Sequence, residues 1–262
     1  MQELGEMQSG LRLSQFGLQE RERLSARCVP IVQLGEPTIR SMLKLFKSTY
    51  ENVDDAVFRR DLSAKSHVIL VRNQALRLRG FSTLTIWPHA FEGREINLLF
   101  SGDTVVDQSA WGHQALPVAF LSAAGNLRTA DRSRSYYWLL TSKGHRTYRF
   151  LNLFFYRFWP QYSSSLEYEE ALARDVGARF FPDRFDSSTS LLRGTELGRL
   201  RAEIAEIPNK DCHRPDVQFF IERNPGYAYG DELLCLAELC PKNMRPFARR
   251  VFQLNYDRKC GA

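Results

Sequence analysis

Between Glu95 and Arg128 the sequence places residue types that could hold an anion. The segment runs from an apolar strand through a polar turn that contains Gly112 into a helix of small and apolar residues. The first N–H groups of a helix have no partner within the helix and point outward together. A strand, a glycine turn and a helix N-terminus in this order can therefore cradle a phosphate. A plain connection between strand and helix is the alternative.

A second group of candidate anion ligands follows the next predicted strand. The turn and the segment after it carry four basic side chains, namely Lys143, His145, Arg146 and Arg149. These side chains could pair with phosphates or with an acidic protein surface, or they could form a solvated charged turn. The same alternatives apply to three arginines that precede them: Arg128, Arg132 and Arg134.

Composition limits the class of protein. The chain has 262 residues, 44% of them hydrophobic, and its formal net charge of +6 suits a globular fold with an anionic partner. The five cysteines and five histidines lack metal-binding spacing, so we expect no metal. Neither a signal-peptide core nor a membrane span is visible, which favours a cytoplasmic location. Basic and aromatic residues do not alternate along a strand, so no nucleic acid is expected.

Hydrophobic periodicity predicts the elements that position these residues. Residues 1–27 are predicted to be a loose arm, and residues 28–262 a single domain. Within that domain we expect a core over 28–160, a helical insertion over 163–215, and final strands with a C-terminal segment over 216–262.

The predicted elements follow one order along the chain. A strand from Cys28 to Leu34 precedes two amphipathic helices, and two further strands lead to Glu95. Another strand, Tyr136–Thr141, follows the helix, and the final strand pair is Asp216–Arg223 with Glu232–Leu239.

This order resembles the GNAT acyltransferase superfamily over residues 28 to 160, with the final pair supplying the last strands. In that family a Gln/Arg-x-x-Gly-x-Gly/Ala turn follows the fourth strand, and its amides bind the pyrophosphate of an acyl-CoA. The matching residues here are Ser109-Ala110-Trp111-Gly112-His113-Gln114, which keep the central glycine and differ at both outer positions. The resemblance implies an α/β (α+β) fold with a mixed, mostly antiparallel central sheet flanked by helices.

The resemblance also implies an activity, the transfer of an acyl group from a thioester donor to a small-molecule amine. The donor would be acyl-CoA or the phosphopantetheine of an acyl carrier protein. The aromatic segment from Phe150 to Trp159 could wall a pocket for a bulky or fatty acyl chain, or it could be core. The implied donor-binding residues are Val105, Val106, Asp107, Gly112, His113, Gln114, Ala115, Lys143 and Arg146. A non-catalytic binding module with the same fold is the other hypothesis.

Catalysis in this family uses a backbone amide of a splayed fourth strand, a base for the amine proton and an acid for the leaving thiolate. The resemblance directs the search for the base to the polar run Ser101–Thr104, where Asp103 is the first choice. That run could instead be a turn that splits the strand. Glu95 and Asp107 are the next candidates for the base. Tyr156 and Tyr148 are the candidates for the acid, although core packing would explain either tyrosine.

The thioester is expected to lie in a gap between two strands. These strands are Phe100–Val106 and Tyr136–Thr141.

Overall fold

The computed structural model describes residues 22–162, 166–194 and 198–256. Its strands are β1 (Leu24–Pro30), β2 (Tyr50–Glu51), β3 (His67–Asn73), β4 (Leu78–Phe91), β5 (Arg94–Val106), β6 (Ser135–Ser142), β7 (Phe185–Asp186), β8 (Leu191–Leu192), β9 (Arg199–Leu200) and β10 (Glu232–Glu238). Its α-helices are α1 (Glu36–Thr49), α2 (Asp55–Ser63), α3 (Ala115–Ala130), α4 (His145–Phe154), α5 (Glu167–Phe180), α6 (Ala202–Ala205), α7 (Pro215–Arg223) and α8 (Pro246–Tyr256).

An eight-stranded sheet forms the centre of the fold, in the order β1-β3-β4-β5-β6-β10-β8-β7. In the described parts of the chain, β5 and β6 pair in parallel and the other neighbours pair antiparallel. Strands β2 and β9 form a separate small sheet. The predicted mixed, mostly antiparallel sheet flanked by helices is confirmed.

Helices cover both faces of this sheet. Helices α1 and α2 pack with Phe81 and Val105 on the first face, where α5 also packs against the side chains of Leu98 and Phe100. Helices α3, α4 and α8 pack on the second face around Trp138 and Leu99. The sheet is therefore buried on both sides, which explains the nearly continuous apolar runs of β3 and β6.

Local sequence explains how the helices that flank the site begin and pack. Asp54 caps α2 by accepting a hydrogen bond from the Val57 N–H at 2.9 Å. Helix α3 lies against α8 so closely that a Cβ on Gly125 would stand 2.3 Å from the Phe252 carbonyl oxygen. Only glycine permits this contact.

Three predictions about the elements are wrong. Strand β1 begins at Leu24, so the end of the predicted 1–27 arm belongs to the sheet, and residues 1–21 lie outside the described range. The predicted strand Asp216–Arg223 is helix α7, which starts with Pro215 in its first turn. The predicted helical insertion holds α5 and the four-residue α6, but three two-residue strands lie between these helices.

None of the described helices combines the length and apolar character that a bilayer crossing requires. Within the same residues, no three His, Cys, Asp or Glu side chains are grouped as metal ligands would be.

Candidate active site

A gap opens in the sheet where β5 and β6 stop pairing. The parallel ladder runs from the pair Ile96–Ser135 to the pair Ser101–Leu140 and ends there. Beyond it, Thr141 and Ser142 pair only with β10, while β5 continues beside β4 to Val106. The expected splay between these strands is confirmed. The backbone of β5 after Ser101 therefore faces the gap without a partner strand on that side.

A β-bulge lies at the point where the gap begins. Ser82 pairs with Thr104 and Leu84 pairs with Ser101, so Gly102 and Asp103 together oppose Thr83. A bulge turns the side chains of its two residues toward the same face and bends the strand. The alternative that Ser101–Thr104 is a turn splitting the strand is wrong, because β5 is continuous through this run.

Gly102 is needed at the bulge for steric reasons. A Cβ there would stand 2.7 Å from Thr83 Oγ1 and 2.9 Å from Lys65 Cε. The Lys65 contact shows that this position faces the segment just after α2, on the first face of the sheet.

A cavity of about 810 Å³ passes through the gap. On the first face its lining includes Tyr50, Asp61 and Phe181, and on the second face it includes Leu116 and Phe150. Because helices on opposite faces contribute to one cavity, two reactants could enter it from opposite sides of the sheet.

Asp103 lines this cavity and has an unusual environment. Its Oδ2 atom is buried and has no hydrogen-bond partner among the described residues. Burial, reinforced by the negative charge of Asp61 and opposed by Lys65 and Lys143, raises the pKa of Asp103 to about 7. A carboxyl group with this pKa can both take up and release a proton near neutral pH.

Lys143 and Glu232 form a buried ion pair beside Asp103. Lys143 Nζ lies 3.1 Å from Glu232 Oε1 and 3.2 Å from the Gly198 carbonyl oxygen, and Arg184 lies 3.7 Å from Glu232 Oε2. Burial by itself would raise the pKa of Glu232, but Lys143 and Arg184 outweigh it and hold that pKa below its usual value. Lys143 is thus committed to a carboxylate, in contrast to its predicted role as a phosphate ligand.

The turn before α3 reaches the cavity through Gly112, His113 and Ala115. Gly112 has φ +79°, and a Cβ there would meet no atom within 4 Å, so the space around it is open. The N-terminus of α3 offers few amides, because Ala115 N–H donates to His113 Nδ1 at 3.1 Å and Pro117 has no N–H. The cradle is therefore a small one in which the amide of Leu116 is the main first-turn donor.

Arg146 completes the wall next to this turn. Its guanidinium stacks 4.1 Å from the Trp111 ring centroid and donates to the Ile204 carbonyl oxygen at 2.9 Å. His145 does not add positive charge, because burial and then Arg146 lower its pKa to about 4. Of the predicted basic set, Lys143, Arg146 and Arg149 line the cavity, and Arg146 contacts the Gly112 turn through Trp111.

Several predicted site residues lie outside the cavity lining. Asp107 Oδ1 instead accepts from Ser109 N–H at 2.9 Å, and Gln114 is the N-cap of α3 without a side-chain hydrogen bond. Glu95 lies at the far end of β5, 3.5 Å from Arg134. Val105 and Val106 do line the cavity, although Val106 O accepts the Trp111 indole N–H at 3.0 Å.

The order of elements and the one splayed parallel pair now decide the fold class. The fold is GNAT-like. The GNAT-like part runs from β1 through α4, and β10 supplies the strand that follows.

Comparison with solved structures returns acetyltransferases. A Trypanosoma brucei acetyltransferase aligns with 55% of this chain and 100% of its own, at 20% identity and a TM-score of 0.39. An Escherichia coli GNAT family N-acetyltransferase in complex with CoA aligns with 50% of this chain and 69% of its own, at 12% identity and a TM-score of 0.34.

A probable N-acyltransferase from Enterococcus faecalis aligns with 48% of this chain, at 14% identity and a TM-score of 0.37. The GNAT-like chain spans 31% of the length of that protein. No family model and no curated protein sequence matches.

The two tyrosines predicted as acids do not reach the cavity of this GNAT-like fold. Tyr148 is fully buried, and its hydroxyl donates to the Pro160 carbonyl oxygen at 2.8 Å. Tyr156 is 49% exposed, and Arg245 lies 5.1 Å from its ring centroid. Neither tyrosine can protonate a group held in the gap, so the predicted acid is wrong. The aromatic segment around them is mainly core, and Phe150 is its one aromatic residue in the described lining.

We expect Tyr148→Phe to leave turnover unchanged and to lower the free energy of unfolding by about 1 kcal/mol, because one buried hydrogen bond is lost. A thiol-release assay measures the turnover, and urea unfolding measures the free energy of unfolding. A tenfold or larger loss of turnover at unchanged stability would show that Tyr148 takes part in the reaction.

Four residues of the site were missed as site residues by reasoning from the sequence. Asp61 on α2 and Lys65 just after α2 form an ion pair at 2.5 Å. Their four-residue spacing is typical of an ordinary exposed helix face. Tyr50 follows α1 and begins β2, and its ring centroid lies 4.9 Å from Lys143 Nζ. Glu232 is the first residue of the predicted strand Glu232–Leu239, a position that does not by itself indicate a site. These residues meet only because distant elements pack together.

Proposed function

We propose that this protein transfers an acyl group from a thioester to an amine. The observation that carries the proposal is the gap between β5 and β6 with Asp103 in its wall, where burial gives a carboxyl group a pKa of about 7. The gap provides unpaired backbone amides that can polarise a thioester carbonyl, and the carboxylate provides a base.

The reaction requires one proton to move from nitrogen to sulfur. The amine nitrogen attacks the thioester carbon, a C–N bond forms, the C–S bond breaks, and the products are an amide and a thiol. Asp103 takes the proton that nitrogen loses. A thiol has a pKa of about 8.5, above that of Asp103, so the protonated Asp103 can return this proton to the thiolate. A separate tyrosine acid is then unnecessary.

The donor would lie in the gap with its phosphates toward Gly112. The open space around Gly112, the Leu116 amide and the guanidinium of Arg146 fit an anion there. Acyl-CoA and the phosphopantetheine of an acyl carrier protein share this chemistry. Phe150 and Leu153 add apolar surface to the same side of the cavity, which would suit a bulky or fatty acyl chain.

The test is to incubate purified protein separately with acetyl-CoA, palmitoyl-CoA and an acylated carrier protein, and to measure Tm. A thioester that binds the folded state stabilises it by about 2.7 kcal/mol at a hundred times its Kd, so we expect at least one donor to raise Tm. Free CoA and the unacylated carrier are the matched controls for the acyl group.

Adding a panel of amines to the donor that binds should release thiol, which a colorimetric thiol reagent detects. Absence of any Tm shift would contradict the proposal. Binding without thiol release from any amine would favour the alternative, a GNAT-like binding module whose basic surface contacts a partner protein.

A further inference from the structure

Four of the aromatic side chains that line the cavity on the first face of the sheet pack against one another. Trp87 is stacked between two parallel rings, with its centroid 4.6 Å from that of Phe100 and 4.6 Å from that of Phe180. Phe181 meets Trp87 edge-on at 6.0 Å. We refer to Trp87, Phe100, Phe180 and Phe181 as the Trp87 stack. Because Phe100 and Phe180 cover both faces of Trp87, the stack presents apolar ring edges to the cavity.

The Trp87 stack adjoins the carboxylates of the site. Lys65 Nζ lies 5.9 Å from the Phe100 ring centroid and 2.5 Å from Asp61 Oδ1, and Asp103 follows Phe100 by three residues on β5. An aromatic wall and a polar end are therefore neighbours within one cavity. A ligand that fits both needs an apolar part and a charged part a short distance apart.

Two oxygen atoms without partners at the polar end favour a ligand that donates hydrogen bonds. Lys65 pairs with Asp61, and both Lys143 and Arg184 pair with Glu232. Asp103 has no such direct ion pair among the described residues, and buried Oδ2 atoms of both Asp103 and Asp61 lack hydrogen-bond partners. A bound ammonium group would supply the missing hydrogen-bond donors. A ligand carboxylate has no N–H or O–H group to donate to either oxygen atom.

We infer that the acceptor is a primary amine joined by a short chain to a flat aromatic group. The ammonium binds between Asp103 and Asp61 and gives one proton to solvent before its nitrogen attacks the thioester, so that Asp103 takes only the second proton. The ring packs against the edge of Trp87 and against Phe181. This inference rests on the proposed function for the role of the amine as acceptor. Polyhydroxylated amines fit poorly, because a wall of carbon rings cannot hydrogen-bond their hydroxyl groups.

Calorimetry without any thioester tests this inference with three probes. Tryptamine carries the ring and the positive charge, indole-3-propionate carries the same ring with a negative charge, and butylamine carries the charge alone. We expect tryptamine to bind at least tenfold more tightly than either of the other two. Equal affinity of tryptamine and butylamine, or tighter binding of indole-3-propionate, would overturn the inference.

Two substitutions locate the binding site. Trp87→Leu keeps an apolar side chain and removes the flat ring, so it should reduce tryptamine affinity to that of butylamine. Asp61→Asn should weaken both amines by a similar factor. Phe247→Ala, which removes an exposed aromatic ring of α8 outside the cavity lining, is the control and should change nothing. If Trp87→Leu does not fold by circular dichroism, Phe181→Leu replaces it. Unchanged tryptamine affinity in a folded variant of the stack would contradict the assignment.

Transfer is measured separately, as thiol release from the donor that binds. If tryptamine binds as expected and no thioester releases thiol with any amine, the proposed function fails while the amine site stands. If butylamine binds as well as tryptamine and releases thiol equally fast, the proposed function stands and the aromatic requirement fails.

Discussion

Replacing Asp103 by asparagine is expected to lower kcat by about 10²- to 10⁴-fold, the usual contribution of a general base. Asparagine is nearly isosteric but cannot take up a proton, so the amine would attack without a base. Donor binding should change little, because the Gly112 turn is untouched. Steady-state thiol release gives kcat, and donor titration by calorimetry gives Kd.

Asp55→Asn is the matched control for this substitution. Asp55 lies exposed in the first turn of α2 and pairs with Lys47, so the same chemical change is made six residues from Asp61 and outside the cavity. Its turnover should equal that of the wild type. Unchanged turnover in Asp103→Asn would require a different base; Glu95, the next candidate from the sequence, lies at the far end of β5.

Asp103→Asn should remove a pH dependence of activity and of stability that the wild type shows. In the wild type, kcat/KM should fall about tenfold for each pH unit below about 7, because Asp103 becomes protonated. Burial raises the folded pKa above the unfolded value near 3.8, so the native state binds more protons between these values and loses stability as pH rises through them. Above pH 7, Asp103→Asn should therefore unfold at a higher temperature than the wild type.

Replacing Gly112 by glutamate is expected to lower donor affinity by about 100-fold or more, equivalent to about 2.8 kcal/mol. The new carboxylate would stand where the donor phosphates bind, and like charges about 4 Å apart near a protein surface repel by about 4 kcal/mol. The turnover at saturating donor should fall much less than the affinity. Calorimetric titration with the donor measures the change.

Gly93→Glu separates this effect from backbone strain. Gly93 has φ +74° and open space around a Cβ, as Gly112 does, but it lies in the turn between β4 and β5. Both substitutions introduce a non-glycine residue in the left-handed region, at a cost of about 1–2 kcal/mol in stability. Only Gly112→Glu should weaken the donor. An equal loss of donor affinity in both variants would show that the donor phosphates do not bind at the Gly112 turn.

The sequence was sufficient for the elements whose pattern is local. The apolar runs of β3 and β6 and the spacing of Met42, Leu43 and Phe46 in α1 identify these elements without any tertiary information. Residues Asp216–Arg223 were misassigned because adjacent Phe219 and Phe220 favour a strand, whereas Pro215 and Asp216 are helix-start signals that outweigh them.

The site was only partly predictable for a different reason. Asp103 and the Gly112 turn lie on one continuous segment, so their chemistry is visible in the sequence. Asp61 comes from α2, Glu232 from β10, and the Trp87 stack from β4, β5 and the end of α5, so their proximity depends on tertiary packing. The prediction of Tyr148 and Tyr156 as acids is wrong because distance along the chain does not tell which face of α4, or of the segment after it, a side chain occupies.

The ladder between β5 and β6 also divides the sheet into two halves that must assemble differently. Strands β3, β4 and β5 are joined by short turns, so these three strands close small loops only. Strand β6 also pairs with β10, and this pairing closes a loop that contains the whole segment between Ser142 and Glu232. Closing the longer loop costs more chain entropy and slows the pairing. We expect the first half to form early and to serve as the template for the second. The cavity would then be completed last, at the point where β6 stops pairing with β5 and β5 continues to Val106.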